Sequence, residues 1–464
     1  MISNTKRTRV FLFLVPVLAI CFAEQNAHAS TVVVGTCIST LPQFTTIQAA
    51  VNSVPAGGIV EVCPGTYTEQ VTITKKLTLT GIQSGTGDAA VVLPPLGGLV
   101  VNGTDILGNP VAAQIFVNSP GGSVIVERLT VDGTGNDLAG CVTTTIEGIY
   151  YQNTSGTITN NVVRNQFQTN YAAYGGCQNG LAINVESTGS GNTVTVSANS
   201  VRAYQKNGIT ASGAGTGAGS PGPAVTIMGN YIVGLGATAM NWQGVYLNEG
   251  TAAENGIQVG FGATGKVQAN TVNDNIWGQD TSSDTGDAAS GILIFASPGI
   301  TVTGNEVGSS QFGIVAVTDS SGFCGTSQSP ISCGTADNTT ITLNKVAGTQ
   351  IFDGIDACSN TNTIQSNTIF GSTESGIHLD DSCTSSKFFT TSGNNNNATK
   401  NIINEACAGI LTGTGTGNIF SPNTLFNVTN STLSGHVCPA VGVSATVRGN
   451  SKELRPAPYR PTRK

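Results

Sequence analysis

Beyond residue 29 the chain has only two histidines, His378 and His436, and no C-x-x-C pair. A zinc site built from paired cysteines and histidines is therefore not expected. Those two histidines with Met228 and Met240 are also too few soft or imidazole ligands for copper delivery. Basic residues are scarce. Without Lys6, Arg7, Arg9 and Glu24 there remain 16 basic groups against 25 acidic ones. The last 17 residues, RGNSKELRPAPYRPTRK, hold six of those 16. Residues 30–447 thus carry ten basic groups against 24 acids. Neutralising a phosphate backbone needs clustered Lys and Arg, so nucleic acid is excluded as a partner for this body. Past the first 30 residues no run is long and apolar enough to span a bilayer.

What is present begins with MISNTKRTRVFLFLVPVLAICFAEQNAHAS. Three basic residues precede an apolar run from Val10 to Ala23, and Ala27-His28-Ala29 is an A-x-A signature. Residues 1–29 read as a secretory signal peptide cleaved after Ala29, so the mature protein is expected outside the cytoplasm. Of 11 cysteines, ten remain after Cys21 is removed. An even number in an exported chain favours disulfides, with the connectivity left open. Residues 30–446 read as one domain. The basic, proline-containing segment 447–464 reads as a disordered terminus.

The domain is a repeat. An aliphatic residue, two positions, Asn, one position and another aliphatic recur at Ile158-Asn161-Val163, Val196-Asn199-Val201 and Ile227-Asn230-Ile232. The pattern continues through Asn270, Asn305, Asn344, Asn367 and, in degenerate form, Asn401. Alternating with it is Gly plus an aliphatic residue, at Gly148, Gly180, Gly208, Gly244, Gly256, Gly291, Gly313, Gly354, Gly376 and Gly409. From Gly291 to Gly313, and from Gly354 to Gly376, the period is 22 residues. Such a unit fits one coil of three short strands at ~3.3 Å per residue. It cannot bury its inner face alone, so stacked coils must close a shared apolar column. Asn at a bend tolerates a left-handed backbone, and stacked Asn side chains can bond one another between coils. Ahead of the repeats, FTTIQAAVNSVP places Phe44, Ile47, Val51 and Val54 on one helical face, a natural lid for an exposed strand edge. The strands after it bring Cys37 and Cys63 near one another.

The segment FTTIQAAVNSVPAGGIVEVCPGTYTEQVTITKKLTLTGI, followed by the Gly-Ile and Asn-x-Ile repeats, resembles the right-handed parallel β-helix proteins of the pectin lyase-like superfamily over roughly residues 31–435. The resemblance implies an all-β solenoid with an N-terminal capping helix, a monomer whose long groove meets polysaccharide. It does not fix an activity, because the superfamily spans lyases, hydrolases, esterases, epimerases, tailspikes and non-catalytic surface proteins. Residues 212–223, 319–338 and 381–400 read as inserted loops, the second stapled by Cys324 and Cys333.

The Gly register also places side chains. Asp356 aligns with His378 one coil on, and His378 shares a strand face with Asp380. Asp381 lies at the strand end, and Asp353 and Glu374 flank the Gly-Ile pairs. Crowded carboxylates separate an acid from a base, as glycoside hydrolysis requires. Asp356, His378, Asp380 and Asp381 are therefore the candidate catalytic residues. No organic cofactor is expected, and the same oxygens suit Ca²⁺. The plain alternative is a polar outer face on a structural or adhesive surface protein. The enzyme reading requires these side chains to line an open groove together; it fails if they are dispersed, or covered by the 381–400 loop.

Polygalacturonases carry an Asn-Thr-Asp segment, an Asp pair, a Gly-His-Gly segment and an Arg-x-Lys segment. Asp380-Asp381 matches the pair, and FDGID resembles the region of the first Asp. His378 precedes the pair, however, and no Arg-x-Lys occurs. Arg164 and Arg202, each three residues after a ladder Asn, are the candidates for a lyase-type base, with no evident acids beside them. Tyr150, Tyr151, Phe167, Tyr171, Tyr174 and Tyr204, then Trp242, Tyr246 and Trp277, are candidate sugar-stacking rings.

Overall fold

A computed structural model describes residues 30–434 and 455–456, apart from 84–87, 142–143, 174–176, 216, 218–219, 241–245, 248–249, 252–253, 278–286, 321, 327, 349–351 and 380–392. Residues 1–29, Asp380, Asp381 and nearly all of the basic tail lie outside the described residues.

The repeat unit folds as alternating strands that bury every second side chain. Thr193–Ser197 reads TVTVS and buries Val194 and Val196. Ser200–Tyr204 and Asn207–Gly213 complete that coil. Each strand pairs in parallel with its counterpart one coil on: Val194 with Val225, Val201 with Ile232, Ile209 with Ile257. The first strand of each coil joins a 13-stranded sheet, and the other two join a 22-stranded sheet. Their inward aliphatics form one core from Val32 to Ile410.

The Asn repeat is a ladder. The Nδ2 of Asn161 donates to Oδ1 of Asn199, and the relay continues through Asn230, Asn270, Asn305, Asn344, Asn367 and Asn401 to Asn423 at 2.9–3.1 Å. Each Oδ1 also takes the backbone N–H of the preceding ladder Asn, as between Asn270 and Asn305 at 2.9 Å. These buried corners are thus satisfied without water. The left-handed backbone expected at Asn falls instead on the residue before it. Ala198, Ala269, Leu343, Ser366 and Lys400 have φ between 52° and 62°. The Asn amide braces that turn from the following position.

The Gly repeat has a steric cause. A Cβ on Gly256, Gly291 or Gly354 would collide with Val272, Val307 or Ile369 respectively. Each of these aliphatics lies two residues after the next coil's ladder Asn, so the two sequence patterns interlock. One copy was misphased. Leu181 pairs with Glu147 and Ile183 with Ile149, so Ala182, not Gly180, stands at the Gly position. Gly180 has a φ of 83° and serves a turn. The Gly244-Val245 copy lies outside the described residues.

A short helix, Ile47–Ser53, follows the strands Thr31–Val34 and Gln43–Phe44, which already belong to the 13-stranded sheet, and buries Ile47, Ala50 and Val51. Thr46 caps it by accepting the Ala49 N–H, and the Glu69 carboxylate takes the N–H groups of Ile47 and Gln48 at 2.7 and 2.9 Å. Disulfides join Cys37 to Cys63 and Cys324 to Cys333, as the sequence suggests, and also Cys141 to Cys177. Cys358 and Cys407 are disulfide-bonded too. Among the described residues no helix is long and apolar enough to cross a membrane.

Candidate functional site

The Gly-Ile strands carry one outward column next to the inward isoleucines. In register it runs Phe116, Tyr150, Asn184, Thr210, Gln258, Leu293, Val315, Asp356, His378, Leu411. Asp356 and His378 are therefore direct neighbours on adjacent coils. The whole column is buried. Part of the reason is visible beside the pair. Leu293 and Val315 cluster with Phe261, Phe295, Phe312, Cys324 and Cys333, so the disulfide-stapled loop packs over this face. Asp356 is 5% exposed and His378 7%. Outward in the strand pattern is not open to solvent here.

A third member, Asp353, comes from the position before Gly354. Its Oδ1 accepts the Ser375 N–H at 3.0 Å and the Ser375 hydroxyl at 2.5 Å. Its Oδ2 lies 3.2 Å from His378 Nδ1. An ionised carboxylate can only accept, so with Asp353 ionised this contact takes its proton from Nδ1. Ligand atoms of Asp353, Asp356 and His378 all lie within 4.8 Å of one another. Two carboxylates and an imidazole form a mixed donor set, better matched to zinc or manganese than to calcium. Cys358 Sγ stands 3.5 Å from Asp356 Oδ1 but, as half of a disulfide, has no proton to give. Asp380 and Asp381 lie outside the described residues.

No family model matches the chain. Over 142 residues it is 29% identical to a cell surface glycoprotein of Methanothermus fervidus, covering 30% of this chain and 19% of that protein. The chain thus matches about a fifth of that relative's length. Among solved structures it is similar to the GH136 lacto-N-biosidase of Eubacterium ramulus, with a TM-score of 0.54 at 11% identity, covering 85% of this chain and 68% of the other. It is also similar to the family 28 exopolygalacturonase of Yersinia enterocolitica, with a TM-score of 0.52 at 13% identity, covering 88% and 78%. The fold is that of the pectin lyase-like parallel β-helix proteins. At such identities the likeness speaks for the fold alone.

Within this β-helix the other candidates fare differently. Arg164 and Arg202 do pair in register. Arg164 has acids beside it after all: Asp132 at 2.6 Å and Asp88 at 2.7 Å. Asp132 sits directly across the ladder from it, a juxtaposition the 32-residue gap conceals. Burial alone would raise the Asp132 pKa, but hydrogen bonds from Thr134, Asn165 and Arg164 outweigh it and hold it below the ordinary value. Burial likewise lowers Arg164, and its two carboxylates reverse that and raise it. An arginine so held is an ion-pair partner, not a base. Tyr151 and Tyr204 are in the core, and Tyr150 is buried with Phe116 stacked on it at 5.3 Å. Trp277 is buried as well. Tyr174 and Trp242, and the side chain of Tyr246, lie outside the described residues.

Sequence reasoning missed a second ionisable cluster. Glu147, Glu186 and Tyr150 are buried together near the other end of the outward column. The Tyr150 hydroxyl donates to Glu186 Oε2 at 2.6 Å, and Asn184 Nδ2 donates to Glu147 Oε1 at 3.0 Å. Burial, then the charge of Glu186, pushes Glu147 well above the ordinary carboxylate range. Burial pushes Glu186 up to about 7. The usable signal was the position before the Gly: Glu147 precedes Gly148 as Asp353 precedes Gly354.

Proposed function

We propose that the protein is an exported β-helix that binds polysaccharide along its outer surface, and that any cleavage takes place at Asp353, Asp356 and His378 once the layer over them opens. The observation that carries this reading is the pairing of Asp356 with His378, with Asp353 on Nδ1. In this mechanism Asp353 positions His378, whose Nε2 exchanges a proton with the substrate. Asp356 is the second carboxylate that acid–base cleavage of a glycosidic bond requires. Asp380 and Asp381, next in the sequence after Leu379, are kept in this reading as further candidate acids. That two similar folds are a lacto-N-biosidase and an exopolygalacturonase supports a glycan as the partner.

The same reading takes residues 1–29 as the export signal and the mature protein as a monomer. It takes Ile47–Ser53 as the cap of the first coil and 22 residues as the length of a coil without insertions, as between Ile355 and Ile377. A divalent ion, calcium or a softer metal, bound by Asp353, Asp356 and His378 would supply charge stabilisation at the same place.

The burial of Asp356 and His378 favours a second reading, a non-catalytic adhesive or structural surface protein. A polymer reaches these residues only if the covering layer opens. A panel of polysaccharides incubated with the purified protein separates the two. Cleavage of one polymer, abolished by Asp356→Asn and His378→Gln with folding intact, is the expected result. Binding without cleavage, unchanged in both variants, would falsify the catalytic assignment. Metal content by mass spectrometry, compared between wild type and Asp356→Asn, tests the ion.

A further inference from the structure

The Glu147 cluster has no part in the function proposed above, and its hydrogen bonding is incomplete. Glu147 Oε1 accepts from Asn184, while Glu147 Oε2 has no partner. On the other side of the contact, Asn184 Nδ2 donates and Asn184 Oδ1 has no partner. Both side chains are fully buried. A carboxyl and a carboxamide joined through one N–H···O contact can present their remaining oxygens to each other. Here those are two acceptors with no donor, an arrangement costly in the interior. A single proton on Glu147 Oε2 satisfies both and closes a two-bond acid–amide ring.

The surroundings favour that proton. The groups acting on Glu147 are Glu186, Asn184 and Asp105, and those acting on Glu186 are Tyr150, Asp105, Asn184 and the Ile106 N–H; none is basic. Asp105 and Ile106 belong to the segment between Gly103–Thr104 and Pro110–Val117, which pair antiparallel. This segment is held to the stack by the cluster itself. Ile106 N–H reaches Glu186 Oε2 at 3.4 Å, and Gln152 Nε2 donates to Thr104 O at 2.7 Å and to the Tyr150 hydroxyl at 3.1 Å.

We propose that Glu147 and Asn184 form a buried proton-binding site, with Glu147 a neutral acid donating to Asn184 Oδ1, and that this proton locks the 103–109 segment onto the strand stack. Loss of the proton puts a second negative charge beside Glu186 and Asp105 and loosens the segment. The direction of the pH effect follows. Both glutamates bind protons more tightly folded than at their ordinary 4.5, so stability is fullest below that value and falls as pH rises. The Glu186 share is lost by about pH 7, and the Glu147 share continues to be lost above it.

The test is Glu147→Gln in the full mature chain, because glutamine supplies permanently the donor that the proton supplies. Three readouts are taken from pH 5 to 9: melting temperature, protease cutting within 103–109, and the infrared carbonyl band of a protonated carboxylic acid. Glu254→Gln is the control, since Glu254 is a second buried carboxyl pushed well above its ordinary value. The expected result is an acid band at pH 7 reduced by Glu147→Gln separately from the Glu254 share. Cutting should rise with pH more steeply in the wild type than in the variant, which keeps only the Glu186 share, and the variant should melt a few degrees higher at pH 8. An unchanged band, or matching pH profiles, overturns the proposal. So does a variant that fails to fold, because its amide should fit the ring. A calcium-dependent rise in wild-type melting temperature after chelator treatment, absent in Glu147→Gln, assigns the cavity to a cation and also overturns it.

Discussion

Asp353 and Glu147 occupy the same place in two coils, each directly before the Gly of a Gly-Ile pair, and each is buried. Asp353 receives three donors, the Ser375 N–H, the Ser375 hydroxyl and His378 Nδ1–H. Glu147 receives one, from Asn184. The difference comes from the coil that follows. Opposite Glu147 the next coil places Leu181, which has no side-chain donor, where the coil after Asp353 places Ser375. The state of a buried carboxyl in a solenoid is thus written in the neighbouring repeat, not in its own.

The sharpest way to break the comparison is to remove what the two sites share. Asn305 lies between them on the ladder and serves Asn270, Asn344 and Val267. Asn305→Ala strands several buried donors and acceptors and should cost about 4 kcal/mol by denaturant unfolding. Next in size is the wild-type pH profile. Glu186, raised from 4.5 to about 7, should remove up to about 3 kcal/mol of stability between those pH values. Calorimetry that shows stability rising over that window would contradict its environment. Then comes conversion of one site into the other. Ser375→Leu gives Asp353 the neighbour that Glu147 has. It should cost about 2 kcal/mol by denaturant unfolding, because the Ser375 hydroxyl no longer serves the buried Asp353 carboxyl. The smallest effect is a control. Leu343 holds a φ of 59°, so Leu343→Gly should gain up to about 1 kcal/mol and leave both sites unchanged.

Much of the scaffold was legible because each repeat residue has a reason that recurs. The ladder Asn and the interior Gly meet the same neighbours in every coil, so they appear as a pattern. Asp356 over His378 was legible for the same reason, since no insertion separates their coils. Phase was lost where loops intervene. Gly180 looked like a repeat Gly, but 33 residues after Ile146 no count could show that Asn179 is the residue bonding its N–H. Asp132 beside Arg164, and Glu186 beside Tyr150, were hidden by similar gaps of 32 and 36 residues. Burial of the outward column was illegible too. It depends on where the Cys324–Cys333 loop folds back, and alternation along a strand says only which way a side chain points.

The asparagine ladder has a consequence for how such a chain changes over time. Its rungs join residues 38, 31, 40, 35, 39, 23, 34 and 22 positions apart, with nearly the same bond length at every step. The ladder therefore counts turns and ignores residues. Insertions elsewhere on a turn leave the next rung in phase, whereas a single residue added between a ladder Asn and its following aliphatic swings that side chain off its Gly. The ladder is a seam that must be copied faithfully, while insertions away from it can be tried at low cost.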